Sequence, residues 1–196
     1  MDGLKNRTGW QNASSLKASA TESSFAQAMS AAFVGTDFRL RHKPREFRNI
    51  YLQIPLDAAI AASIYQPIKP YKHGVIPDYA IDNIVTGKTL YVEVKRQDGW
   101  VEGKTSSAGR GNAHERSCKF FTPGLLQILR AKGKLDDSVL PFWAVYQGDI
   151  ARDPKRVREI HCWFSGYSNH FFLWQDINIS HPLVTHFQTK LKQILE

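Results

Sequence analysis

Between Thr89 and Arg96 the chain alternates with period two: Leu90, Val92 and Val94 interleave with Tyr91, Glu93 and Lys95. Side chains on a strand point to opposite faces in turn. This segment is therefore a strand with one apolar, core-facing side and one side that presents a carboxylate and an ammonium two residues apart. Thr86-Gly87-Lys88 reads as a turn, and Pro77 to Val85 as the preceding strand, so the two form a hairpin. With the turn centred near Gly87, antiparallel pairing sets Asp78 opposite about residue 96, close to Lys95 and within a few residues of Glu93. The local pattern thus brings Asp78, Glu93 and Lys95 to one neighbourhood.

The remaining elements read more coarsely. Residues 1 to about 20, rich in Ser, Ala, Asn and Lys, are expected to form a flexible N-terminal arm. Phe25, Ala28, Met29, Ala32 and Phe33 predict a helix from Glu22 to Val34, stopped at Gly35. A strand is expected from Phe47 to Ile54, and a short helix from Ala58 to Tyr65 capped by Asp57. Asn112 and Glu115 resemble a capping box, and Thr122-Pro123 a second helix start, predicting helices near 113 to 121 and 123 to 132. Val139 to Tyr146 is apolar enough for a strand buried on both faces, with Val157 to Phe164 as its neighbour. Leu183, Val184, Phe187, Leu191, Ile194 and Leu195 form the apolar stripe of a closing helix. The expectation is one α/β domain over residues 1–196, a mixed central β-sheet flanked by α-helices.

Charge narrows the partners. Across 196 residues, 26 Lys+Arg against 18 Asp+Glu give a formal charge of +8, which favours a polyanion such as nucleic acid or an acidic membrane surface. Aromatic content of 12% and hydrophobic content of 42% exclude a disordered basic tail. No stretch approaches a signal peptide or a membrane span, so a cytoplasmic protein with no membrane partner is expected. Cys118 and Cys162 lack the paired spacing of a zinc knuckle or a disulfide framework. No Walker, Rossmann or nucleophile-elbow motif occurs, which argues against nucleotide-driven and Ser-His-Asp chemistry.

Phosphodiester hydrolysis needs a polarised phosphate, an activated water and a neutralised leaving oxygen, and carboxylate-held divalent metals supply all three. Magnesium takes oxygen ligands and works with one or two carboxylates plus substrate phosphate. Asp78 and Glu93 are the candidate Mg2+ ligands, and Lys95 would orient the attacking water or stabilise charge on the phosphate. The same pattern also fits a charged, solvated strand face. Downstream, Gly109-Arg110-Gly111-Asn112-Ala113-His114-Glu115-Arg116 combines Arg and Asn, the side chains that pair bidentately with guanine and adenine, with small residues that admit a close backbone. Its structural alternative is a glycine loop leading into a solvated helix.

Taken together, Pro77-Asp78, Glu93-Val94-Lys95 and Gly-Asn-Ala-x-Glu-Arg resemble the EcoRI/MunI group of Type II restriction endonucleases, within the PD-(D/E)xK nucleases. The resemblance runs from Lys95 to Lys104, through Gly109 to Leu126, and resumes at Leu140–Trp143 and Asp149–Ile160, weakening toward both ends. It implies a restriction-endonuclease-like core and a Mg2+-dependent homodimer that cuts both strands of palindromic double-stranded DNA, leaving 5′-phosphate ends. It further implies a cognate DNA methyltransferase that protects the host. Within the group, likeness to the MunI branch implies the site CAATTG, cut after the first C. Asn112, Ala113 and Arg116 would then read the inner AATT, Gly111 would allow close approach, and Arg110 would read the outer pair.

Other residues stay open. Arg152, Lys155, Arg156 and Arg158 suit phosphate contacts or a solvated loop equally well. Glu115 fits capping or arginine positioning better than metal binding, and Trp100 fits packing. Two further functions compete with restriction: a structure-specific repair or junction nuclease of the same fold, and a DNA-binding regulator without catalysis.

Overall fold

The structure, a computed structural model, describes residues 2–65, 73–99, 101–103 and 115–196, excepting the side chains of residues 2–14 and of Arg116. Its frame is a five-stranded sheet in the order β1-β2-β3-β4-β5: Phe38–His42, Tyr79–Asn83, Thr89–Arg96, Phe142–Gln147 and Phe171–Trp174. The first three strands pair antiparallel, and β3-β4 and β4-β5 pair parallel, so the sheet is mixed as expected. Parallel neighbours need crossovers. These contain α3 (Pro123–Gly133), between β3 and β4, and α4 (Pro154–Trp163), between β4 and β5.

Each face of the sheet is covered. On one, Leu90, Val92, Val94, Trp143 and Val145 pack against Phe25 and Met29 of α1 (Asp2–Ala32) and against Leu183, Phe187, Leu191 and Leu195 near the C-terminus. Thr21, Phe25, Met29 and Phe33 are buried at every fourth residue, the repeat that keeps one helix face on the sheet. On the other, Ala80, Tyr91, Ala144 and Tyr146 meet Leu125 and Leu129 of α3 and Ile160 of α4. The hairpin alternation is therefore real, but its second face is core at Tyr91 and becomes polar only at Glu93 and Lys95.

Several local expectations change. The hairpin loop spans Ile84 to Gly87: the Asn83 side chain accepts from the backbone N–H of Val85 (2.9 Å) and Thr86 (3.2 Å), and Gly87 takes φ +70°. This side-chain turn shifts the register to Tyr79↔Val92 and Asp82↔Thr89, so continuing it sets Asp78 against Glu93 rather than against residue 96. The stretch expected as a strand from Phe47 to Ile54 contains the 3-10 turn Ile50–Gln53, with only Phe47 and Ile50 buried, three residues apart. Val157 to Phe164 lies not in a strand but largely in α4, because Asp153 caps Lys155 N–H and Pro154 occupies the first turn. Ile160 and Phe164 are buried at i, i+4 spacing. The strand beside β4 is instead Phe171–Trp174, and β1 supplies an edge strand that the sequence reading missed.

The first helix begins at Asp2, twenty residues before its expected start, and runs through the segment expected as a loose arm. That segment has no proline, and its Ala, Lys and Leu are good helix formers. Helix α2 (Ala58–Ser63) is capped by Asp57 as expected but buries none of its residues. At the C-terminus, α5 (His181–His186) continues through a π turn (Phe187–Leu191) into α6 (Lys192–Leu195). Among the described residues, no helix is long and apolar enough to cross a membrane.

Candidate active site and base-reading segment

At the carboxyl end of β3 three groups meet. The Lys95 ammonium lies 2.7 Å from Glu93 Oε1 and 3.3 Å from Asp78 Oδ2. Asp78 Oδ2 also accepts the backbone N–H of Val94 at 2.8 Å, which pins the residue before β2 onto the neighbouring strand. Beneath them β4 runs parallel, with Ala144 beside Glu93 and Tyr146 beside Lys95. Glu93 is only 6% exposed, and its Oε2 is buried with no hydrogen-bond partner among the described residues.

The electrostatics follow from this crowding. Burial pushes the Glu93 carboxyl above the usual carboxylate range; Lys95 pulls it down and Asp78 pushes it up again. Burial also works against the Lys95 charge, yet Glu93 and Asp78 outweigh it and hold the ammonium above the ordinary lysine value. Among the described residues, two carboxylates flank one ammonium, and one carboxylate oxygen has no partner. That is the donor set a hard divalent cation takes, all oxygen with room for water and phosphate. Among the described residues no three His, Cys, Asp or Glu cluster as a closed metal site.

A second acid on the same hairpin has a different environment. Asp82 accepts from Arg41 Nε (2.6 Å), Arg41 Nη2 (2.9 Å), Arg39 Nη2 (3.2 Å) and Thr89 Oγ1 (2.8 Å). Burial alone would raise its carboxyl, but the Arg41 and Thr89 hydrogen bonds hold it below the usual range. Asp82 is thus neutralised within the fold, whereas Asp78 and Glu93 share a single ammonium.

Comparison with known proteins now decides the family. A sequence model of the family "Type II restriction enzyme MunI" matches residues 1–196. A Type II restriction enzyme MunI from Mycoplasma sp is 48% identical over 197 residues, covering 98% of each chain. The crystal structure of MunI restriction endonuclease in complex with cognate DNA superposes with a TM-score of 0.81 at 48% identity, covering 95% of this chain and 97% of that one. The chain belongs to the MunI family of Type II restriction enzymes.

As a MunI-family protein it is a site-specific, DNA-binding endonuclease of a restriction system, with the restriction-endonuclease fold expected from sequence. Membership displaces the repair-nuclease and regulator readings. Of the expected base-reading residues, Arg110, Gly111, Asn112 and Ala113 lie outside the described residues, as do His114, Lys104 and Trp100. The Arg116 backbone enters a 3-10 helix, Glu115–Phe121, where an α-helix was expected. The segment leading toward them is anchored: Asp149 accepts from Gly99 N–H (2.8 Å) and Asp153 from Glu102 N–H (2.9 Å).

The basic cluster after β4 is largely committed inside the chain. Arg152 donates to the Gln175 carbonyl, Arg156 pairs with Glu159 at 2.7 Å, and Arg158 pairs with Glu102 at 2.6 Å. What the sequence reading missed comes from distant segments. Glu22 of α1 approaches the site closely enough that, after burial, the Asp78 charge is the main influence raising its carboxyl. Arg96 links Gln147 (2.6 Å) to Asp98, and Thr21 of α1 reaches the same Gln147 oxygen at 3.3 Å. No sequence spacing signals these contacts.

Proposed function

We propose that this enzyme is a Mg2+-dependent homodimer that cuts CAATTG after the first C, leaving 5′-phosphate and 3′-hydroxyl ends. The observation that carries the catalytic assignment is the Lys95 ammonium bridging Asp78 and Glu93 beside a Glu93 Oε2 that has no partner among the described residues. Asp78 and Glu93 would hold the cation through carboxylate oxygens. Magnesium, when bound, polarises the scissile phosphate and neutralises the leaving 3′ oxygen. Lys95 then orients the attacking water by donating a hydrogen bond, with its own charge secured by the two carboxylates. The hydrophobic packing under β3 supports the strand that carries Glu93 and Lys95.

Base reading falls to Arg110, Gly111, Asn112, Ala113 and Arg116. Arginine and asparagine each offer the paired hydrogen-bonding groups that discriminate guanine and adenine in the major groove. Asn112, Ala113 and Arg116 take the inner AATT, with Gly111 allowing close approach, and Arg110 takes the outer pair. One catalytic centre per chain and a palindromic duplex imply a two-fold dimer, each subunit cutting one strand. A cognate methyltransferase modifying the same site completes the system.

The test is cleavage of plasmids with and without CAATTG, in Mg2+ and in EDTA. Linear product only with the site and the metal supports the reading. Cutting in EDTA, or cutting independent of CAATTG, refutes it. Light scattering should give twice the 22.3 kDa chain mass.

A further inference from the structure

Ser117 immediately follows the base-reading segment, and its hydroxyl lies 3.1 Å from the Tyr146 hydroxyl. Both residues are fully buried. Tyr146 stands on β4 directly beside Lys95 in the parallel register, two residues after Ala144, which lies beside Glu93. Tyr91, Ala144 and Tyr146 belong to one buried cluster, so Tyr146 shares the sheet face from which Glu93 and Lys95 emerge. The proximity registers electrostatically, since the Glu93 charge acts on the Tyr146 phenol.

The 3-10 helix is also clamped to β4 elsewhere. Phe120 and Phe121 pack on Phe142 at ring-centroid distances of 5.3 and 5.2 Å. Those contacts are apolar and fix no hydrogen-bond direction. A hydrogen bond between two buried hydroxyls does, because its strength falls steeply with distance and angle and burial keeps bulk water from replacing it. A phenylalanine at 146 would fill the same space, so what the hydroxyl adds is a fixed position of Ser117 relative to β4.

We propose that the Ser117–Tyr146 hydrogen bond couples base reading to catalysis, with both residues acting as positioning residues. A correct major-groove fit at Arg110 to Arg116 sets the start of the 3-10 helix. Ser117 transmits that position to Tyr146, and Tyr146 sets the lateral position of β4 against Lys95 and Glu93. A wrong base displaces the segment and misaligns the catalytic strand, adding discrimination at the cleavage step to that at the binding step. The inference rests on the proposed CAATTG reading and deepens it.

Tyr146→Phe and Ser117→Ala remove the bond from either side, and the double variant removes it once. Single-turnover cleavage of CAATTG should fall about tenfold in each, as expected for one buried hydrogen bond, while rates on sites with one inner pair changed fall less. The cognate-to-altered rate ratio therefore drops, with cognate Kd in Ca2+ within about threefold of wild type, an allowance well below one hydrogen bond. The double variant should be no slower than the slower single one. An unchanged rate ratio, or fully additive losses, would overturn the coupling. So would loss of the folded state in both single variants by thermal melting, which would make the bond purely structural. If wild type instead prefers another site, the CAATTG reading fails, and the coupling is judged by the same ratio on that site.

Discussion

Replacing Glu93 with Gln should destroy the enzyme and stabilise the protein. Wild-type Glu93 carries a buried carboxylate whose Oε2 has no partner among the described residues, and burial and Asp78 both disfavour its charge. The main favourable contribution is the Lys95 contact at 2.7 Å, with a smaller one from the Lys119 charge. Such a charge-assisted hydrogen bond is worth about 1.5–3 kcal/mol, whereas burying one ion costs several kcal/mol. Lys95 keeps its Asp78 partner at 3.3 Å after the substitution. The balance favours Glu93→Gln by about 1 kcal/mol, a rise of roughly 2–4 °C in Tm for a domain of this size. The opposite substitution has the opposite sign: Lys95→Met strands two carboxylates, which costs about 3–5 kcal/mol. Melting in EDTA reads both, and single-turnover cleavage in Mg2+ should fall at least about 10²-fold in each. Proton linkage supplies a further check. The folded-state pKa of Glu93 is raised, so wild type gains stability as pH falls toward the carboxylate range, and the advantage of Glu93→Gln shrinks there. A Glu93→Gln protein melting below wild type, or a Lys95→Met protein melting at or above it, would refute this electrostatic reasoning. Full cleavage by either would remove that residue from the active site.

Three further outcomes are expected. Arg110→Lys should cut sites with altered outer pairs nearly as fast as CAATTG, a loss of about 1–3 kcal/mol of discrimination, because an ammonium cannot reproduce a bidentate fork; competition cleavage of the two site classes measures it. Asp82→Asn should lower stability by about 1–2 kcal/mol, because Arg41 keeps its Glu46 partner and Arg39 is solvent-exposed, yet leave kcat within a few-fold below its melting temperature. The contrast with Asp78→Ala, which should abolish cleavage, separates the structural acid from the proposed catalytic one. His170 is buried with its Nδ1 3.0 Å from the Phe142 carbonyl, and burial pushes its pKa down to about 4 from 6.5. Its contribution is full above pH 6.5 and is lost as pH falls toward 4, so urea midpoints should drop across that window and drop less in His170→Gln.

Strand β3 shows how far local pattern reaches. Its alternation identified the core side, at Leu90, Val92 and Val94, and the two charged residues that emerge at its end, because side-chain direction on a strand is set by covalent geometry. The register was less legible: Asn83 closes the hairpin through its own side chain, and that choice moved Asp78 three positions, from opposite residue 96 to opposite Glu93. Helix α4 was misread as a strand because the apolar content of Val157 to Phe164 outweighed the Asp153-Pro154 start signal. The edge strands β1 and β5 escaped because edges are short and their residues follow mixed patterns, as Arg39 and Arg41 do.

The sheet-and-helix class, the acid and lysine pattern, and the resemblance to restriction endonucleases were legible in the chain alone, since each is carried by short local runs of residues. Tertiary structure decided which acid is bound up by arginines and which sits beside the Glu93–Lys95 pair. Asp78 and Asp82 lie four residues apart on one hairpin, and only folding brings Arg39, Arg41 and Thr89 onto Asp82 while setting Asp78 beside Glu93 and Lys95. It also brought Ser117 to Tyr146 and α1 to the site, contacts between segments far apart in sequence. Those pairings depend on helices and strands packing as units, and packing depends on the shapes of whole faces rather than on any local run of residues.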